Sequence, residues 1–463
     1  MENNKPMVIC EQGELVGTQE KQALAFYNIP YGADKGRCKP VGEPSKWTGT
    51  RDATKPGPVF PQLPSRLSTV VGTKKEERNQ QEDAFILNIW TKLTNEKRPV
   101  LFWIHGGGWL SGGGSLPWYN GSEMASNGDV VVVTVNYRLG ALGNLYVPGI
   151  SEGNLALQDL IAALHWVKKN IEAFGGDPHQ ITVAGQSAGA WYSVALMACE
   201  EVKGMFNRTA LFSFPACTKA LDENASLELS NLLLERLGID ERNKEKILGV
   251  PIEDILSSQV EVIREVQRRN NDLLTAFLPI VDGVLLKGDI WSEAIRISGG
   301  NVNVIAGITG EETAAFFHQT DLRNKDNYFE LVKRSSDEIF GQTHEFMLSI
   351  NEGGSDTYLF HFNYPSPDPY LLACHCMDLP FVFGNFEKWD NAPMLADIHV
   401  EEALHLSDQV QGYLLRFIKN GSPNHENRID WPVYERKQRN ILIFDKKIEL
   451  KSSLWPFSDT PAY

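Results

Sequence analysis

Three short stretches of the chain are apolar almost throughout: Val100–Ile104 (Val-Leu-Phe-Trp-Ile), Val130–Val135 with one threonine, and Ile181–Ala184 with another. Each stops at turn-forming residues, respectively Gly106–Gly108, Asn136-Tyr137-Arg138 and Gly185. Runs this short, with no polar alternation, suit strands buried on both faces of a mostly parallel sheet. Between the second and third, Leu157, Leu160, Ile161, Leu164, Val167, Ile171 and Phe174 recur at three- and four-residue steps, the period of an amphipathic helix. Asn154 can cap its start, and Gly175-Gly176-Asp177-Pro178 stops it, because glycine accepts the left-handed C′ conformation and proline cannot continue. Strand, helix, strand is the βαβ unit, and it predicts an α/β fold with helices on both faces of the sheet.

The pattern changes from about Leu221 to Gln267, where Glu, Leu, Lys and Arg recur at helical spacing with few strand signals. This predicts a helical insertion at about 221–300, placed over the pocket and acting either as a solvated cover or as a lid. Leu404–Lys419 reads as a late amphipathic helix closed by Asn420-Gly421. With no internal repeat, low-complexity tract or linker, residues 1–463 are expected to form one domain.

Composition narrows the class. The 463 residues are 42% hydrophobic and 22% charged, the mixture of a packed globular protein. The net charge of −15 sets a field that repels a phosphate backbone, and no run of five Lys or Arg offsets it, so nucleic acid is not an expected partner. No stretch approaches the ~18–20 apolar residues of a membrane span, and the first residues lack an apolar signal core. Six cysteines are too few for a disulfide scaffold. The expectation is a cytoplasmic protein without a membrane partner.

Candidate chemistry gathers at two of the strand ends. Gly185-Gln186-Ser187-Ala188-Gly189 fits G-x-S-x-G after a strand and before a helix, the context in which a sharp turn exposes a serine hydroxyl. His105-Gly106-Gly107-Gly108-Trp109 follows the strand Val100–Ile104, and consecutive glycines let backbone N–H groups converge on one oxyanion. Five residues with three fixed also arise by chance, and a glycine run can be merely a flexible turn. Both motifs in one chain, each at a strand end, make coincidence a poor account.

Taken together, the chain resembles the type-B carboxylesterases of the α/β-hydrolase fold. The resemblance rests on Glu82-Asp83 with Leu87-Asn88-Ile89-Trp90, on Phe102-Trp103-Ile104-His105-Gly106-Gly107-Gly108, and on Asn136-Tyr137-Arg138-Leu139-Gly140. It continues in Phe174-Gly175-Gly176-Asp177-Pro178, the serine motif, Val281-Asp282-Gly283, and Leu379-Pro380-Phe381-Val382-Phe383-Gly384. It implies a Ser-His-Glu triad. The family's acid lies five residues after a strand-ending glycine, which from Gly307 points to Glu312, with the adjacent Glu311 as the alternative. The family's histidine lies nine before the last glycine of Phe-Val-Phe-Gly, which from Gly384 points to His375. Ser187, Glu312 and His375 would then be nucleophile, acid and base, with Gly107, Gly108 and Ala188 supplying oxyanion donors. Cys374-His375-Cys376 could instead suggest metal ligands, but three adjacent residues cannot close a tetrahedral site.

The resemblance implies hydrolysis of a small-molecule ester by water, with no cofactor. The pocket is expected to be apolar, lined by Trp109, Trp118, Phe214 and Phe317, and to take small to medium acyl groups. Some departures qualify the substrate. The family's Glu before the serine is Gln186, bulky Trp191 and Tyr192 follow the elbow, and Ser213-Phe214-Pro215 replaces a Ser-Gly. Phe60 and Ala84 stand where secreted relatives carry a disulfide, and no tryptophan falls in Val71–Gln81 to form a choline site. A non-catalytic binding protein on the same fold is the rival reading. The complete triad and glycine loop argue against it.

Overall fold

The three apolar runs lie side by side at the centre of one sheet. In the computed structural model, which describes residues 5–92, 96–270 and 277–452, eleven strands form this sheet. In chain order they are β1 (Thr18–Glu20), β2 (Ala23–Pro30), β3 (Ile86–Thr91), β4 (Arg98–Ile104), β5 (Val131–Val135), β6 (Gly176–Gln186), β7 (Arg208–Phe212), β8 (Asn303–Thr309), β9 (Thr357–Phe362), β10 (Asn440–Phe444) and β11 (Glu449–Ser452). Their spatial order is β11-β10-β9-β8-β7-β6-β4-β5-β3-β2-β1. The block from β10 to β5 is parallel, and the strands at both edges are antiparallel. A separate small sheet is built from Met7–Cys10, Gly13–Val16 and Thr50–Asp52.

Alternation along β4 explains why its sequence reads as continuously apolar. Val100, Phe102 and Ile104 enter one core with Leu157, Leu160, Leu164 and Trp191. Leu101 and Trp103 enter the opposite core with Phe212, Phe383 and Phe417. Helices α1 (Leu155–Asn170) and α2 (Ala188–Met197) supply the first layer, and α5 (Val400–Asn420) supplies part of the second. α1 runs on into a 3-10 turn, Ile171–Phe174, and the helical run stops where its sequence predicts, with Gly175 at φ 77°. Its start differs. Asn154 sits at the N-cap but makes no capping bond, because its amide is used elsewhere. It donates to the Ile280 carbonyl at 2.9 Å and to Asp282 at 2.8 Å, and accepts from Ile280 N–H at 2.8 Å. The residue thus ties α1 to the distant Val281-Asp282-Gly283 segment.

The excursion between β7 and β8 is helical, with α3 (Glu223–Arg236) and α4 (Ile252–Asn270). Leu229, Leu233, Ile255, Val262 and Ile263 build a small core of their own against Ala141, Leu142 and Leu145. Among the described residues, none from 221 to 300 is in the lining of the pocket itself. The apolar face of the insertion is spent on the Leu139–Val147 stretch, leaving other loops to form the pocket walls.

Strand order also decides where a ligand can sit. From β4 the chain moves to β5 on one side, then crosses back to β6 on the other side and continues outward through β7 to β10. Loops leaving the ends of β4 and β6 therefore part in opposite directions and open a crevice between them, the usual binding place of an open α/β sheet.

Candidate active site

Ser187 stands at the mouth of that crevice with φ 57° and ψ −124°, a conformation an L-residue adopts only when its surroundings impose it. Its N–H donates to the Phe212 carbonyl at 2.8 Å and its carbonyl accepts from Trp191 N–H at 3.0 Å, pinning the turn to β7 and α2. The flanking glycines allow strand and helix to meet. A Cβ on Gly185 would lie 2.3 Å from the Gly189 carbonyl carbon, and one on Gly189 would lie 2.1 Å from the Ile104 carbonyl oxygen. The serine hydroxyl is thereby held against the end of β4.

The glycine loop closes on it from that side. A Cβ on Gly106 would be 3.1 Å from Ser187 Cβ, and Gly107 and Gly108 take φ 121° and 60°. His105 underlies the loop, buried, stacked on Tyr137 at 4.4 Å, with its Nδ1 2.8 Å from the Gly106 carbonyl. Burial lowers its pKa to about 4, so the ring is neutral and adds no charge beside the hydroxyl.

His375 and Glu312 arrive from the loops after β9 and β8. Glu312 Oε2 is 2.5 Å from His375 Nδ1, Oε1 accepts from Thr309 N–H at 2.9 Å, and both side chains are buried. The His375 backbone N–H also donates to the Glu312 carbonyl at 3.2 Å, so the pair is joined twice. Glu311 points elsewhere. Its carboxylate accepts from Ala373 N–H at 3.1 Å and its own N–H donates to the Ala373 carbonyl at 3.0 Å, bracing the loop that carries His375. Cys374 and Cys376 are buried and burial raises both thiol pKa values, which keeps them protonated and poor metal ligands.

One contact is unexpected. Gln186 Nε2 lies 3.0 Å from His375 Nε2 and donates to it when Nδ1 carries the proton facing Glu312. Among the described residues Ser187 Oγ makes no hydrogen bond, and His375 Nε2 faces the Gln186 amide.

The cleft above these groups encloses about 880 Å³, its open mouth included. Ser187, His375, Gly107, Gly108, Trp109 and Trp118 line it as the sequence suggests. Phe214 and Phe317 do not. Phe214 turns into the core against Phe346, ring centroids 5.3 Å apart, and its neighbour Pro215 faces the cleft. Phe317 packs into the second core, and the adjacent Phe316 lines the cleft 5.4 Å from the His375 ring. In both cases the neighbour's backbone direction, invisible in the sequence, decides which side chain faces the cavity. Trp191 and Tyr192 are fully buried below the elbow, packed on Trp109 and Tyr137, and do not narrow the cleft. Phe340 and Trp389 also line the cleft from distant parts of the chain, and no local motif marks them.

With this geometry in view, comparison with known proteins is decisive. The model of the carboxylesterase family matches residues 4–342 and 317–455. The chain belongs to the carboxylesterase family. It is 31% identical to the para-nitrobenzyl esterase of Bacillus subtilis (strain 168), over 96% of each chain. It is 31% identical to a probable N-octanoylanthranilate hydrolase of Rhodococcus erythropolis, over 95% of this chain and 98% of the relative. Among solved structures, a para-nitrobenzyl esterase superposes with a TM-score of 0.85 at 28% identity, covering 97% of each chain. The Geobacillus stearothermophilus carboxylesterase superposes equally well, at 0.85 and 27% identity, over 97% of this chain and 98% of the other. The esterase has the α/β-hydrolase fold and hydrolyses carboxylic esters as a serine carboxylesterase.

Proposed function

We propose that Ser187 is the nucleophile, His375 the general base and acid, and Glu312 the group that holds the imidazole in its working tautomer. The observation that carries this reading is the 2.5 Å pair of Glu312 Oε2 and His375 Nδ1, with His375 lining the same cleft as Ser187. Once the Gln186 amide gives way, His375 Nε2 takes the hydroxyl proton as Ser187 Oγ attacks the ester carbonyl. The alkoxide of the tetrahedral intermediate is received by the N–H groups of Gly107, Gly108 and Ala188, each worth about 2.7–4 kcal/mol when lost in comparable sites. His375 then protonates the leaving alcohol, and water repeats the cycle on the acyl-enzyme to release the acid. No metal or organic cofactor has a role in this sequence.

Apolar walls of Leu67, Val71, Leu116, Trp118 and Phe316 fit small to medium acyl groups. An N-acyl substrate in the name of the Rhodococcus relative makes amide cleavage by the same groups the second reading. We take the chain as one hydrolase domain acting in the cytoplasm, in keeping with a chain of only six cysteines, too few for a disulfide scaffold. The test is hydrolysis of p-nitrophenyl acetate, butyrate and octanoate by the esterase and by Ser187→Ala. Turnover that falls by several orders of magnitude in the variant is expected, and equal rates would sink the assignment.

A further inference from the structure

Arg66 lines the cleft beside the oxyanion loop, and nothing in the triad chemistry uses it. Its Nη2 would lie 2.8 Å from a Cβ on Gly108, so the guanidinium rests directly on a glycine proposed above as an oxyanion donor. Among the described residues it has no hydrogen bond and no ion pair. Glu77, the one acidic residue lining the cleft, is not within ion-pair distance of it. Arg66 is exposed, so its guanidinium is open to a ligand entering the cleft that it lines.

The placement is built. Gln62, four residues earlier, is stapled to the oxyanion loop twice: its Nε2 donates to the Gly112 carbonyl at 2.7 Å and its Oε1 accepts from Gly112 N–H at 2.7 Å. Gln62 is in turn tied to Gln80, backbone N–H to Oε1 at 2.9 Å and carbonyl to Nε2 at 3.0 Å. Just past Arg66, Leu67 N–H donates to Ser65 Oγ at 3.1 Å and opens the short helix Ser68–Val71. The segment that carries the guanidinium is therefore referenced to the same loop that positions the ester.

A guanidinium on the cleft wall with no carboxylate against it can take an anion from a ligand, and its planar fork suits a carboxylate. We propose that Arg66 is a specificity-determining residue that binds an anionic group of the substrate, so that the preferred ester bears a second, free carboxylate a few bonds from the scissile carbonyl. This rests on the triad reading above, since it places the scissile carbonyl between Ser187 and Gly107–Gly108. The overall charge of −15 repels anions at long range, so the preference is local and arises from the paired geometry.

The test compares charged and neutral esters of matched shape. Monoethyl adipate against diethyl adipate puts the carboxylate on the acyl side; 3-acetoxybenzoate against its methyl ester puts it on the alcohol side. Each pair is measured with the wild-type esterase, Arg66→Met and Arg66→Lys, and the readout is the charged-to-neutral ratio of kcat/KM. That ratio cancels any general loss of activity. It is expected to fall roughly 10–100-fold in Arg66→Met for at least one pair, chiefly through KM, with partial recovery in Arg66→Lys. The responding pair says which side of the ester carries the anion. Ratios unchanged in both pairs overturn the proposal and leave Arg66 a structural wall. Absence of turnover of the neutral esters by the wild type would instead undo the triad reading on which the proposal depends.

Discussion

At the scale of single residues the site turns on Gln186. Position 186 is the last residue of β6, and its side chain reaches back across the elbow to His375 Nε2 at 3.0 Å and to Cys376 Sγ at 3.4 Å. An amide there is neutral and donates to Nε2, the position from which the proposed base would meet Ser187. A carboxylate at the same place would accept and would favour the imidazolium. Gln186→Glu is therefore expected to move the acid limb of the kcat/KM–pH profile to higher pH, measured with p-nitrophenyl butyrate between pH 5 and 9. An unmoved limb would mean that the contact has no part in the reaction. The motif singles out Ser187, and the family spacing points to Glu312 and His375, which the fold brings to 2.5 Å of each other, because these residues sit at fixed offsets from glycines that the turns themselves require. The contact of Gln186 with His375 was not legible in the sequence, because it joins residues from two strand ends whose loops approach only in the folded chain.

At the scale of elements, β5 and α1 are held together by one buried ion pair. Arg138, just beyond β5, donates to Asp159 on α1 from Nε at 2.8 Å and from Nη2 at 2.6 Å, and its backbone N–H adds a third bond at 3.1 Å. Asp159 is fully buried, and a further bond from Arg138 Nη1 reaches the Lys39 carbonyl at 2.6 Å. Truncating one partner leaves the other charged and unpaired in the core. Asp159→Ala is expected to lower stability by about 3–5 kcal/mol in urea unfolding, and a loss below about 1 kcal/mol would show the pair to be dispensable. The elements themselves followed their sequence patterns closely where burial was complete. Val100–Ile104 became the end of β4, and the predicted helix Leu404–Lys419 lies within α5, which Gly421 closes at φ 78°. Asn154 departed from its expected capping role because a long-range partner, Ile280, outbid the local N–H groups for its amide.

At the scale of the whole molecule, buried titratable groups set how the fold responds to pH. Burial, reinforced by the charge of Glu312, raises the Asp378 pKa to about 8, and neither of its oxygens has a hydrogen-bond partner among the described residues. Between the unfolded value near 4 and about 8 the folded state holds a proton that the unfolded chain has lost, so stability falls as pH rises through that window. His105 and His361 act in the opposite sense: burial lowers both to about 4, so stability falls as pH drops below about 6.5, where the unfolded imidazoles take up protons. From pH 6.5 to 8 only the Asp378 effect remains among these three. Asp378→Asn is therefore expected to flatten the decline of Tm over pH 6.5–8, and parallel melting curves for both proteins would refute the assignment. The sequence by itself determined the α/β class, the strand and helix that flank Ser187, and the glycine loop, because complete burial and positive φ leave few residue types free to vary. Tertiary structure alone decided which of Phe214 and Pro215, or Phe316 and Phe317, faces the cleft. It also packed the helical insertion against the Leu139–Val147 stretch and set Arg66 beside Gly108. Those outcomes depend on how separate segments pack against one another, and hydrophobic periodicity records that a side chain is buried without recording against what.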